Sequence, residues 1–131
     1  MPHSKVLSTG VLVRDVASFN AHIDVVNVDP TLSTTVAVEI LDWGPDQLWD
    51  KPAPVPVTPS GPVTIGPHTH QSFISLITQS TAQPALVLAL YEVRITFPDD
   101  RNLVINCFAD DGKGGIVEGN TVLHKGLVEV L

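Results

Sequence analysis

Tyr91-Glu92-Val93-Arg94-Ile95-Thr96-Phe97 is the segment on which the fold turns. Tyr91, Val93, Ile95 and Phe97 alternate with Glu92, Arg94 and Thr96, the two-residue period of a strand with one buried and one wetted face. Pro98-Asp99-Asp100 closes the strand with a turn. Downstream, Leu103, Ile105 and Cys107 repeat the alternation, and Asp110-Asp111-Gly112-Lys113-Gly114-Gly115 supplies a glycine-rich hairpin tip before a last strand expected over Thr121 to Leu131. Upstream, Phe19, Ala21, Ile23 and Val25 alternate with Asn20, His22 and Asp24, Asp29-Pro30 turns the chain, and Val36, Val38 and Ile40 lead to Asp42-Trp43-Gly44-Pro45.

The stretch from Gly44 through Pro62 holds six prolines, which bar a central strand and predict a long surface loop over 44–62 whose extended path could follow a sheet edge. Val63–Ile65 and Phe73–Ile77 read as short strands on either side of Gly66-Pro67. Ala82 to Tyr91 stays open between strand and helix, because Leu86, Leu88 and Leu90 fit a strand while the local Ala and Leu content tolerates a helix. Short strands separated by turn signals predict an all-β fold: one antiparallel β-sandwich over 1–131, Ig-like or jelly-roll-like, with about eight strands.

Composition agrees and excludes several functions. The chain has 131 residues, 44% hydrophobic and 16% charged, with a mean hydropathy of +0.24, so its surface should be unusually apolar or rich in Ser and Thr. A net charge of -7 with a pI near 4.9, and only 7 Lys and Arg in scattered positions, argue against nucleic acid as a partner. No apolar run approaches the ~20 residues of a membrane helix, so no membrane partner is expected. The Met1-Pro2-His3-Ser4-Lys5 start lacks the apolar core of a signal peptide, which predicts synthesis in the cytoplasm without one.

Sites of chemistry are few. His68-Thr69-His70 would put two imidazoles on one strand face, where they could grip a metal, but a third ligand would have to come from His3, His22, His124 or a carboxylate such as Asp99, and no spacing specifies one. The expected metal, cofactor and catalytic sets are therefore empty, with His68 and His70 as weak metal candidates. The acidic tip at Asp110–Gly115 fails as a calcium loop because Lys113 stands where an oxygen ligand is needed. No Gly-x-Ser-x-Gly elbow or glycine-rich phosphate loop occurs. Cys107, the single cysteine, reads as a buried and inert thiol that nonetheless leaves an intermolecular disulfide open. Of the two tryptophans, Trp43 is expected to pin the proline loop, and Trp49 is balanced between that role and an exposed contact.

The order of these signals resembles small β-sandwich spore-surface and endospore-appendage subunits of spore-forming Gram-positive bacteria. The likeness rests on Phe19 to Asn27 followed by Val36 to Asp42, on Gly61-Pro62-Val63-Thr64-Ile65 leading into Gln71-Ser72-Phe73, and on Tyr91-Glu92-Val93-Arg94-Ile95 through Leu123-His124-Lys125. It implies a non-enzymatic subunit that self-assembles into a fibre, ring or surface layer by strand or edge addition, and a location outside the cell or on the spore surface. A homo-oligomer or polymer is the expected partner state, with a surface protein as a further partner. Val6, Leu7, Val11, Leu12 and Trp49 are the interface candidates. Appendage subunits of this kind pass an N-terminal segment to a neighbour and cross-link through several cysteines, so a chain with Cys107 alone would depend on strand addition and apolar contacts. The alternative is a carbohydrate- or ligand-binding module using Trp49, Tyr91 and the proline loop. A small metal-dependent β-barrel enzyme built on His68 and His70 ranks third.

Overall fold

The structure, a computed structural model, describes residues 3–44, 55–59, 61–78 and 90–130, with the backbone alone for 55–59. The described residues form two antiparallel sheets, as a β-sandwich requires. Eleven strands are present among them: β1 (Ser4–Ser8), β2 (Leu12–Val13), β3 (Asn20–Asn27), β4 (Thr34–Gly44), β5 (Val55–Pro59), β6 (Val63–Ile65), β7 (His70–Leu76), β8 (Leu90–Pro98), β9 (Leu103–Asp110), β10 (Ile116–Val122) and β11 (Val128–Glu129). One sheet runs β11-β1-β8-β4-β5, with β2 also on β8 and the short β6 also on β4; the other runs β10-β9-β3-β7.

Alternation is what sorts the side chains. Ala21, Ile23 and Val25 of β3 and Leu103, Ile105, Cys107 and Ala109 of β9 face inward from one sheet, and Val36, Val38 and Ile40 of β4 with Tyr91, Val93, Ile95 and Phe97 of β8 face them from the other. Leu7, Ile65 and Ile77 complete the packed layer. Asn27 ends the inward row of β3 as a buried amide. Its Nδ2 donates to the carbonyls of Leu32, Ile65 and Gly66 at 2.8, 3.2 and 3.1 Å, and its Oδ1 accepts the Asp29 N–H at 3.1 Å, which ties the turn after β3 to the one after β6.

Four expectations need correction. The eight or so strands become eleven because β2 and β11, at two residues each, are too short to show a period. The 44–62 stretch is not loop throughout: Val55–Pro59 pairs with β4 as an edge strand, where one side of the backbone needs no ladder partner and proline is tolerated. The last strand does not run from Thr121 to Leu131. β10 stops at Val122, His124–Gly126 makes a 3₁₀ turn, and β11 joins the opposite sheet beside β1. Gly126 permits that turn, since a Cβ there would come within 3.2 Å of Val122 Cγ1. Phe19 precedes β3 and is exposed, lying against Gly112 of the β9–β10 turn instead of entering the core. Ala82–Ala89 and Trp49 lie outside the described residues.

Candidate functional site

The outer face of the four-stranded sheet carries a polar cluster that links β3 and β7. By register, Asn20, His22, Asp24 and Val26 of β3 are flanked on one side by Leu76, Ile74, Ser72 and His70 of β7 and on the other by Asp110, Phe108, Asn106 and Val104 of β9. Asp24 is the node. Its Oδ1 lies 3.0 Å from His22 Nε2, 3.0 Å from His70 Nε2 and 2.7 Å from the donating Ser72 hydroxyl, and His22 stacks on Phe108 with ring centroids 4.5 Å apart. Partial burial opposes ionisation of Asp24, but the hydrogen bonds from Ser72 and His70 and the nearby imidazoles outweigh it and hold the carboxyl below its usual range.

Ser, His and Asp in contact invite comparison with a catalytic triad, and the geometry rejects it. In a triad the acid holds one imidazole nitrogen while the other accepts the serine proton. Here Asp24 and Ser72 both meet His70 at the same Nε2, with Ser72 Oγ at 3.2 Å. An N–H donated to Asp24 cannot also accept from Ser72, so His70 does not stand as the imidazole base of a triad, and the Ser72 hydroxyl donates to Asp24 instead. A metal fares no better. His22 precedes Asp24 by two residues, whereas His70 stands opposite Val26, two residues beyond it, so the imidazoles reach the carboxylate from opposite ends. Among the described residues no group of three His, Cys, Asp or Glu could hold a metal ion.

His68 does not share a strand face with His70. It occupies the turn after Gly66-Pro67 at φ 52°, its N–H donating to Asp29 O at 3.0 Å. Asp99 and His124, considered as third ligands, instead line a recess of about 450 Å³ with Lys5, Arg101 and Leu103. There the Nδ1 of His124 accepts the Ile105 N–H at 3.0 Å, which places the ring's proton on Nε2.

The second feature of this sheet is its edge. Ile77 N–H donates to Phe19 O and Asn27 N–H to Thr69 O, so the odd residues of β7 turn their backbone groups toward β3 and the even ones, His70, Ser72, Ile74 and Leu76, turn theirs outward. Among the described residues β7 pairs only with β3. Its seven residues contain no Lys, Arg, Asp, Glu or Pro, and Ile74 and Leu76 are 59% and 60% exposed. The other edges are guarded. β5 carries Pro56 and Pro59, β10 breaks register between Val117 and Val122 and carries Glu118, and β11 is two residues long with Glu129.

Of the sequence-derived interface candidates, Leu7 is in the core, Val6 is half-buried on the opposite face of β1, Val11 is exposed, and Leu12 packs partly on the core; Trp49 is not described. β1 itself is held between β8 and β11 of its own chain. Tyr91 is 1% exposed. Trp43 Nε1 donates to Glu92 Oε1 at 2.8 Å. Cys107 is buried among apolar neighbours, which pushes its thiol up to about 12. Asp24 and Ser72 escaped the sequence reading. Their signal is the pairing of two polar rows, Asn20-x-His22-x-Asp24 and His70-x-Ser72, that only the β3–β7 register brings together.

No family model, curated protein or solved structure matches the chain.

Proposed function

We propose that this chain is a non-enzymatic structural subunit that self-associates by adding sheet edge to sheet edge, in the setting its resemblance implies, an extracellular or spore-surface assembly. The observation that supports the reading is the contrast between edges. Natural sheets blunt their exposed edges with charge, proline, bulges or brevity, and β5, β10 and β11 each do so while β7 does none of these. A seven-residue strand with alternate N–H and C=O groups turned outward and two exposed aliphatic side chains offers both the hydrogen bonds and the apolar area that strand addition uses. The carbohydrate-binding reading has less support: of the residues it uses, Tyr91 is in the core and Trp49 lies outside the described residues.

Sedimentation and negative-stain microscopy over a wide concentration range test the reading. The wild-type chain is expected to associate. Ile74→Lys, which plants a charge on the exposed face of β7, is expected to weaken association at least tenfold with an unchanged circular dichroism spectrum. A wild-type chain that stays monomeric at every concentration refutes the proposal.

A further inference from the structure

We infer that the partner of the β7 edge is the same edge of a second copy, run antiparallel about a twofold axis at Phe73. The inference rests on the proposed self-association and goes beyond it by naming the partner surface and its register.

Backbone geometry limits the registers. Only the even residues of β7 direct N–H and C=O away from β3, so each must pair with an even residue of the other copy. An axis at Ser72 or at Ile74 engages three of the four even positions of each strand. An axis at Phe73 engages all of them: His70 meets the second copy's Leu76 and Ser72 meets its Ile74, each pair twice, for about eight backbone hydrogen bonds. An isologous pairing of this kind is closed and makes a dimer with one continuous eight-stranded sheet from two four-stranded ones.

The side chains favour the same axis. Phe73 points toward the interior of the sandwich, yet it is only half-buried, packing on the core at a margin where no described strand continues the sheet. At the axis Phe73 faces its twin in a non-hydrogen-bonded pair, the closest cross-strand arrangement, with Cα atoms about 4.5 Å apart, so each ring covers the other's exposed part. On the outer face Leu76 lies beside the second copy's His70, and Ile74 beside its Ser72. The two His70 residues stand six positions apart, roughly 20 Å at ~3.4 Å per residue, so they do not meet across the seam. A parallel arrangement would set His70 against His70.

The register predicts a distance. Gln71 pairs with the second copy's Ser75, so two Gln71 positions are separated by four residues, about 14 Å along the strand; an axis at Ser72 gives about 7 Å and one at Ile74 about 20 Å. Full-length Gln71→Cys carrying a nitroxide reads this by dipolar broadening of its spectrum, with Cys107 too buried to take the label. Expected are an associated species by sedimentation, broadening that fits about 14 Å, and loss of both in Gln71→Cys/Ile74→Lys. Association with another distance, or association that Ile74→Lys leaves intact, overturns the β7 twofold while self-association stands. A monomer at every concentration overturns both.

Discussion

Glu92 is a carboxylate on the outer face of β8 with 4% of its surface exposed, and replacing it tests how the N-terminal strands are fastened to the sheet. Its Oε2 accepts from the Ser8 hydroxyl and, at 2.8 Å, from Arg94 Nε; its Oε1 accepts from Trp43 Nε1 at 2.8 Å and from an Arg94 terminal nitrogen at 3.3 Å. β1, β4 and β8 thus meet at one side chain. Glu92→Ala strands the Ser8 and Trp43 donors and removes the carboxylate that pairs with Arg94 at 2.8 Å. Donors left without acceptors cost about 1–3 kcal/mol each where buried, and breaking a buried pair costs about 3–5 kcal/mol in all. The expected loss is about 3–5 kcal/mol, a fall in Tm of roughly 10–20 °C for a domain of this size. Arg94→Ala should also be destabilising, because it leaves the buried Glu92 carboxylate without its counter-charge, with only the Ser8 and Trp43 donors still satisfying it. Urea unfolding followed by tryptophan fluorescence measures both. pH adds a sign. Burial raises the Glu92 pKa, but the hydrogen bonds from Arg94, Ser8 and Trp43 outweigh it and hold it below the ordinary value of 4.5. The advantage of wild type over Glu92→Gln is therefore complete above that value and shrinks as pH falls through the lower folded-state pKa. A Glu92→Ala protein within about 1 kcal/mol of wild type at pH 7, or a Glu92→Gln gap that grows on acidification, refutes this account.

Asn27→Ala should destabilise by about 2–4 kcal/mol in the same assay, because it leaves the Leu32, Ile65 and Gly66 carbonyls and the Asp29 N–H without their shared partner; a change below about 0.5 kcal/mol would show that water replaces the amide. Cys107, with its thiol pushed up to about 12 by burial, should resist a disulfide reagent at pH 8 in the folded chain and react at once in urea; fast labelling without denaturant would mean that β9 opens locally.

β3, β8 and β9 were legible because each has one wet and one dry face, and Cys107 was placed inward by the same parity. Phe19 continued the parity by one residue too many: it sits just before β3, where the chain is turning and a ring can stay at the surface. β5 was hidden by Pro56 and Pro59, whose missing N–H groups disqualify a central strand and say nothing against an edge. The candidate site was illegible for a different reason. Asp24 and His70 are 46 residues apart, and periodicity reports which face a side chain takes, never which strand lies beside it. Which strands stand at an edge is likewise a property of the sheet order: His70–Leu76 reads as an ordinary short strand until β3 is found on one side of it and no described strand on the other.

The strand order also governs when this chain can fold. β8 is the common neighbour of β1, β2 and β4, and β9 joins β3 to β10, so the connection from β8 to β9 over Leu90–Asp110 crosses between the centres of the two sheets. A ribosome that has released only the segment before β8 has made a chain able to form β3 with β7 and β4 with β5 and β6, but with nothing to set one pair across from the other. Such half-built sheets expose their apolar faces, and pairings this distant in sequence form slowly, in roughly milliseconds to seconds. Each nascent copy thus passes through an interval in which the apolar face of β3 and β7 waits uncovered until β8 brings the second sheet across it.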